Sequence, residues 1–134
     1  MMKSLTLILA LTLSVMFSST SFAGWTKVAV SVDGDTFYVD FERIRKHGGY
    51  VYYWDLGDYL RSQGQDGFHN FSVVNYNQVD CALNRRKNLT QIQYKGQMGQ
   101  GQKRTNNKPD KNWTYALPRS SLEHILKAVC ASVK

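Results

Sequence analysis

The sequence is short of the residue combinations from which catalytic and metal sites are usually built. Its only histidines are His47, His69 and His124, and they form no HxH or HExxH motif. No GxSxG motif marks a nucleophilic serine. Gly96 and Gly101 have the spacing of a phosphate-binding loop, but Gln102 stands where that loop needs lysine. We therefore predict no enzymatic activity, no cofactor and no metal.

Long apolar runs are also scarce, and the longest one lies near the start of the chain. Residues 5–17 (LTLILALTLSVMF) follow Lys3 and precede Ser21 and Ala23, the small residues that signal peptidase requires. This run is shorter than the roughly 20 residues that span a bilayer. We predict that residues 1–23 are a cleaved signal peptide and that residues 24–134 form one domain without a transmembrane segment.

The predicted export has consequences for location and partners. No cysteine lies near the predicted cleavage site, so we expect a protein of the periplasm, the medium or the cell surface that is not lipid-anchored. Acidic residues are few, and the formal net charge of +7 becomes +6 without Lys3. A basic surface favours acidic proteins, anionic glycans or lipid surfaces. Nucleic acid is not predicted as a partner, because export separates the protein from nucleic acid and no nucleic-acid-binding signature is present.

Cysteine is limited to Cys81 and Cys130. In an exported chain such an even pair predicts one structural disulfide. A reactive thiol pair is the alternative, but the two cysteines are far apart and form no CxxC motif. Closing a loop of about 50 residues would stabilise the fold by roughly 4 kcal/mol.

Apolar periodicity predicts an antiparallel β-sheet of five to six strands. The predicted strands are residues 25–32, 36–40, 50–59, 68–80 and 85–94, with a short edge segment at 113–117. In the fifth strand Leu89 and Ile92 are out of phase, as a bulge would explain. The predicted connections are a helical turn or loop at 41–46, a polar turn at 61–67 and a long flexible loop at 96–112.

The end of the chain predicts one C-terminal helix. Ser120 and Glu123 form a capping box. The apolar stripe that follows at helical spacing is Leu122, Ile125, Leu126, Val129 and Val133. The helix should pack on the sheet, with the disulfide joining its end to the end of the fourth strand. The predicted fold class is therefore α+β.

The aromatic segment VYYWDLGDYL (residues 51–60) raises the question of which side of the sheet binds a partner. Alternation places one apolar set on a single face: Tyr50, Tyr52, Trp54 and Leu56. We predict that this set packs under the helix. Tyr53 lies on the opposite face, where we predict contact with a partner or a second subunit.

Basic residues cluster in two regions of the sequence. The candidate binding patch comprises Arg85, Arg86, Lys87, Lys103, Arg104, Lys108 and Lys111. Such a patch would suit anionic glycans, lipid head groups or acidic proteins. The alternative is ordinary solubilising charge, with lysines that protect a sheet edge from pairing.

Several segments in order carry a family resemblance: TFYVDFERIRKHGGYVYYWDLGDYL, VDCALNRRKNL, YKGQMGQG and NWTYALPRSSLEHILKAVC. Over residues 25–130 the chain resembles the bacterial surface-adhesin protein E-like family. The resemblance implies an antiparallel sheet with a C-terminal helix, a Cys81–Cys130 disulfide, dimer formation and no enzymatic activity. The family takes its name from an adhesin that binds host extracellular-matrix and serum proteins.

These observations predict a small exported, non-catalytic binding module of the cell envelope that interacts with proteins or polyanions. An alternative is a periplasmic structural or accessory protein that forms a homodimer or assembles with an envelope partner. A remote alternative is a small basic secreted nuclease with His47 and His69 as acid and base.

Overall fold

In the part of the chain that the structure describes, the fold consists of one antiparallel β-sheet and one α-helix. The computed structural model describes residues 24–64 and 67–133, so the predicted signal peptide lies outside the described residues. The strands are β1 (Trp25–Val30), β2 (Thr36–Asp40), β3 (Arg45–His47), β4 (Tyr50–Gln63), β5 (Asn70–Asp80), β6 (Arg85–Tyr94), β7 (Lys103–Asn106) and β8 (Thr114–Tyr115). A 3₁₀ turn (Phe41–Arg43) follows β2, and helix α1 (Ser121–Ala131) ends the fold.

The strand order is β1-β2-β4-β5-β6-β7, with β3 beside β4 and β8 beside β6. Each of these pairs is antiparallel. The α+β prediction is confirmed. Within the described ranges, no helix combines the length and apolar character that crossing a membrane requires.

Two predicted connections contain strands. Part of the segment predicted as a helical turn or loop at 41–46 forms β3. A tight turn at Gly48 and Gly49, which both have positive φ, then connects β3 to β4. Part of the predicted flexible loop becomes β7, because Lys95 N–H donates to the Gln102 carbonyl (2.9 Å) and closes a hairpin. All four residues of β7 are exposed, so this edge strand has no apolar alternation from which to predict it.

The predicted irregularity in the fifth strand is present in β6. The pairing of β5 with β6 shifts between Tyr76, which opposes Thr90, and Asn77, which opposes Asn88. Leu89 is the additional residue of this bulge. Because one inserted residue reverses the alternation, Leu89 and Ile92 do not follow one period-two pattern.

Helix α1 begins as predicted at a serine cap. Ser120 Oγ accepts a hydrogen bond from Glu123 N–H (3.1 Å), whereas Glu123 Oε1 accepts from Arg119 N–H (3.2 Å) and not from the cap residue itself. The helix packs its apolar stripe on the sheet. The buried core cluster comprises Ala29, Val39, Val51, Tyr53, Val79, Ile125, Leu126 and Val129.

The disulfide between Cys81 and Cys130 is formed, with a Cα–Cα distance of 5.9 Å that is ordinary for such a bond. It joins the turn after β5 to the last part of α1. The prediction of a structural disulfide is confirmed. The closed loop has a sequence separation of 49 residues.

The two faces of β4 are the reverse of our prediction. Tyr53 is 0% exposed and lies under the helix with Val51, so its ring has no exposed surface to offer a partner. Tyr52 and Trp54 lie on the opposite face and are only partly buried. The helix covers the Tyr53 face because Val39 of β2 and Val79 of β5 share that face and extend its apolar area.

Candidate functional site

The face of the sheet opposite α1 carries a group of partly exposed aromatic rings. This surface, here called the open face, comprises Trp25, Tyr50, Tyr52, Trp54, Tyr76 and Trp113 with the nearby cations Arg43, Arg85 and Lys87. Trp54 opposes Tyr76 in the β4–β5 register, and their ring centroids are 4.8 Å apart. Tyr52 stacks on the other side of Tyr76 at 6.1 Å. The sheet register therefore aligns the rings into a continuous surface.

Cationic side chains lie over these rings. The Arg43 guanidinium is 5.9 Å from the Trp25 ring centroid and 5.2 Å from that of Trp54. Asp40 pairs with Arg43 and also caps the 3₁₀ turn, accepting from Glu42 N–H at 3.1 Å. The short turn after β2 thus delivers Arg43 to the rings.

A second cationic group lies at the other end of the open face. Arg85 is 4.4 Å and Lys87 4.9 Å from the Trp113 ring centroid. Asp80 holds Arg85 through an Nε–Oδ2 contact of 3.0 Å. Cation–π contacts contribute about 0.5–1 kcal/mol each at exposed sites. The surface therefore combines aromatic area with positive charge in fixed positions.

A shallow groove of about 260 Å³ crosses the open face. Its floor is formed by Leu56, Val74 and Ile92, and one wall is the segment from Met98 to Gln100. Met98 N–H donates to Asp58 Oδ1 (2.8 Å), which anchors this wall to β4.

The wall is also anchored to β5. Gly99 N–H donates to Ser72 Oγ (2.9 Å), and Ser72 Oγ–H donates to the Gly96 carbonyl (2.6 Å). Gly99 has φ +70 and lies against Leu56 and Val74, a conformation and an approach that favour glycine. The Met-Gly-x-Gly segment of the family resemblance is therefore an ordered wall of the groove.

The other side of the sheet contains a cleft of about 490 Å³ beside the beginning of α1, here called the helix-side cleft. The residues that line it are Phe37, Asp55, Gly57, Tyr59, Val73, Asn75, Arg86, Asn88, Gln91, Asn106, Lys108, Asp110, Ser121, Leu122 and Ile125. Helix α1 covers one end of this face with apolar side chains, and the cleft lies beside it.

Asp55 is the buried centre of the cleft floor, at 5% exposure. Its carboxylate accepts from Tyr53 Oη–H, Asn75 Nδ2 and Asn77 Nδ2, each at 2.9 Å. Burial raises the pKa of Asp55 above its usual value, while the charge of Arg86 and the hydrogen bonds oppose this rise. Every oxygen of the buried carboxylate therefore has a donor.

A second layer of amides and one guanidinium holds the first. Asn88 Nδ2 donates to Asn75 Oδ1 (3.1 Å) and Asn77 Oδ1 (3.2 Å). Arg86 Nη1 donates to Asn77 Oδ1 at 3.3 Å. The β-bulge at Leu89 brings Asn88 opposite Asn77, so the network depends on the register shift. The result is a rigid polar floor.

The seven residues of the candidate basic patch do not form one surface. Arg85 and Lys87 belong to the open face, and Lys103 shares that side because it pairs with Tyr94. Three others lie on the same side of the sheet as the cleft: Arg86, Arg104 and Lys108. Lys111 is exposed in the connection before β8. Arg43 also lies on the open face, although it is not among the seven residues of the candidate patch. The only feature of the sequence that pointed to it was the spacing between Asp40 and Arg43.

The histidines proposed for nuclease chemistry lie at opposite ends of the sheet. His47 in β3 opposes Tyr50, near the Val79 end of β5, whereas His69 precedes the first residue of β5. About nine residues of strand, or about 30 Å, separate these ends. The structure therefore does not bring His47 and His69 together as an acid–base pair. In residues 24–64 and 67–133 there is also no group of three or more metal-ligating side chains.

Comparison with known proteins places this fold in a family of adhesins. The sequence profile of the family Surface-adhesin protein E matches residues 25–131, and the chain belongs to this family. The family is one of surface adhesins, which supports an adhesin-like surface protein as its class and implies a non-enzymatic role. No curated protein matches the chain at a significant level.

Solved structures of Haemophilus influenzae protein E share the fold. Crystal form II has 19% identity and a TM-score of 0.63, covering 81% of this chain and 88% of that one. A second structure of the same protein has 19% identity and a TM-score of 0.61, covering 81% and 85%. Protein E from a non-typeable strain has 19% identity and a TM-score of 0.57, covering 85% and 79%. At these identities the likeness shows the fold.

Proposed function

We propose that this chain is an exported, non-catalytic adhesin-like module, released from residues 1–23, that binds an acidic protein partner through the open face. Membership of the surface-adhesin protein E family supports the class. The observation that carries the partner chemistry is the position of the Arg43, Arg85 and Lys87 cations over partly exposed tryptophan rings.

The composition of the open face is that of an interaction surface. Tryptophan, tyrosine and arginine are enriched among the few residues that dominate the binding energy of protein interfaces. Here ring stacking and ion pairs with Asp40 and Asp80 already hold these side chains in place. Less conformational entropy is therefore lost when a partner binds.

The groove gives the interaction a directional element. Its apolar floor of Leu56, Val74 and Ile92 would accept one apolar side chain of the partner. Arg43 lies on the rim of the groove, where it would pair with a neighbouring acidic residue. We therefore expect the partner to present an apolar side chain with a carboxylate close to it.

Self-association through the same face is less favourable. A two-fold dimer would place the open face of one copy against that of another. Arg43, Arg85 and Lys87 would then approach their counterparts, and like charges in an interface are unfavourable. A homodimer through another surface is compatible with the proposal, and light scattering over a range of concentrations measures it directly.

The test uses the mature chain and acidic 12-residue peptides, with and without a central leucine or phenylalanine, measured by fluorescence polarisation. Replacing Arg43 and Arg85 by glutamine should weaken binding by about tenfold. Replacing Arg104 and Lys108 by glutamine is the matched control, because it removes equal charge from the cleft side. We expect the control to change binding by less than about twofold.

Three results would contradict the proposal. One is equal loss in both double variants, which would indicate non-specific charge. Another is tight binding of heparin or anionic vesicles at a salt concentration that abolishes peptide binding, which would indicate a polyanion or lipid partner. The third is the absence of binding by any peptide.

A further inference from the structure

We propose that the helix-side cleft is a second binding site, for a neutral sugar unit with several hydroxyl groups. The site lies on the other face of the sheet from the adhesin-like surface, and its residues are different. The two proposals therefore stand on separate observations.

Gly57 allows two aromatic side chains to lie close to the backbone in this cleft. It lies inside the long strand β4, where glycine is unfavourable unless a ligand or another backbone approaches closely. A Cβ at this position would be 3.1 Å from Tyr59 Oη and 3.3 Å from Phe37 Cε1. A side chain at position 57 would therefore displace the Tyr59 and Phe37 rings, which line the cleft.

The polar groups of the cleft suit hydroxyls. Each hydroxyl donates one hydrogen bond and accepts others, and primary amides also do both. Gln91 and Asn106 present such amides beside Asn88. The Tyr59 hydroxyl lines the cleft without a hydrogen-bond partner among residues 24–64 and 67–133. A polyhydroxylated ligand would satisfy these groups.

The network beneath the cleft holds this surface ready for a ligand. Asn75 is held on one side by Asp55 (2.9 Å) and on the other by Asn88 (3.1 Å). Gln91 Nε2 lies 3.4 Å from Asn75 Oδ1. Preorganised groups lose little entropy when they bind. A buried polar group without a hydrogen-bond partner also destabilises the fold, which explains why the polar side chains of this network are paired so densely.

Charge in the cleft is balanced, which favours a neutral ligand. Arg86 and Lys108 contribute two positive charges, and Asp55 and Asp110 contribute two carboxyl groups. On the open face, in contrast, the three cations Arg43, Arg85 and Lys87 outnumber Asp40 and Asp80, the carboxylates that pair with the two arginines. An isolated anion would meet both attraction and repulsion in the cleft, whereas neutral hydroxyl groups avoid this opposition.

The size and the walls fit a sugar ring. The volume of about 490 Å³ lies within the about 300–1,000 Å³ of small-molecule pockets. Phe37 and Tyr59 offer ring surfaces, and Leu122 and Ile125 of α1 form an apolar wall. The C–H faces of a sugar can pack on these side chains while its hydroxyls reach the floor.

The experiment is titration of the ¹⁵N-labelled mature chain with methyl glucoside, methyl galactoside, methyl mannoside and N-acetylglucosamine, followed by NMR. At least one should shift cleft resonances with a Kd in about the millimolar range. Gly57→Val should abolish these shifts, because the new side chain displaces the Tyr59 and Phe37 rings that line the cleft. Gln91→Leu should weaken binding by about fivefold.

Gln93→Leu is the matched control, because Gln93 lies two residues along the same face but outside this cleft. It should bind as the parent does, and so should Trp54→Ala on the open face. If Gly57→Val does not fold, the comparison of Gln91→Leu with Gln93→Leu decides. The proposal is overturned if no sugar shifts the cleft at about 50 mM, or if only phosphate or glucuronate does.

Discussion

The two faces of β4 show how one strand can build two surfaces of opposite chemistry. Trp54 and Asp55 are neighbours in sequence, but their side chains lie on opposite faces. The Trp54 ring packs against Tyr76 beside solvent, whereas the Asp55 carboxylate is buried and accepts hydrogen bonds from three donors. On the open face, cations lie over partly exposed rings, and Asp40 and Asp80 pair with two of these cations. On the cleft side, charge is matched and held inside. Period-two alternation therefore separates the surfaces, and substitutions can test each independently.

The largest difference between the faces should appear with Tyr53→Ala and Trp54→Ala. Tyr53 is fully buried against α1, so its truncation leaves a cavity and should cost about 3–5 kcal/mol of unfolding free energy. Trp54 is partly exposed and should cost less. Urea unfolding followed by circular dichroism measures both, and a larger loss for Trp54→Ala would contradict the face assignment.

A smaller difference should separate Asp55→Ala from Asp58→Ala. Removing Asp55 leaves the Tyr53 hydroxyl and two amides without their acceptor, and should cost about 2–3 kcal/mol. Asp58 accepts one bond from Met98 N–H, so its loss should cost about 1 kcal/mol and loosen the groove wall. If chemical denaturation gave the two variants equal losses of unfolding free energy, the hydrogen-bond network around Asp55 would add nothing to stability.

The pH dependence of stability should differ between Asp55→Asn on the cleft side and Asp58→Asn beside the groove. The pKa of Asp55 is raised by burial, so the folded protein binds this proton more tightly than the unfolded chain does. The resulting stabilisation is complete below the unfolded pKa of about 3.9 and is lost as pH rises through the higher folded value. Asp55→Asn should remove this decline, whereas Asp58→Asn should keep it. Melting temperatures from about pH 4 upward measure the slope, and unchanged slopes in Asp55→Asn would refute the assignment.

The smallest effect on folding should come from Arg43→Gln. Two cation–π contacts and one partly exposed ion pair should contribute about 1 kcal/mol or less. Peptide binding should nevertheless weaken, because Arg43 is on the rim of the groove. Parallel thermal melts and polarisation titrations, with Arg104→Gln as the control, separate stability from binding. A melting change without a binding change would place Arg43 outside the interface.

Local sequence patterns predicted most elements of this fold. The Ser120 cap, the stripe of α1, the bulge near Leu89 and the disulfide all follow from interactions between nearby residues or from a single cysteine pair. Strand β7 was missed because a fully exposed edge strand needs only hydrogen bonds to β6. Its polar residues have the composition of a loop.

The candidate sites were harder to predict than the fold. Sequence clustering grouped Arg85, Arg86 and Lys87, but alternation sends Arg86 to the cleft and its neighbours to the open face. Arg43 reaches the rings from a distant turn, and Asn88 reaches Asn77 through the bulge. Adjacency in sequence therefore misrepresents adjacency on a sheet.

By itself, the sequence determined the period of the strands with apolar residues, the start of the helix and the composition of both faces of β4. Only the tertiary structure decided which face α1 covers. That choice depends on the apolar area that Val39, Val51 and Val79 form together across three strands. No single segment contains this area, because it arises when the strands pair. Tyr53 is consequently in the core, and Trp54 remains available for binding.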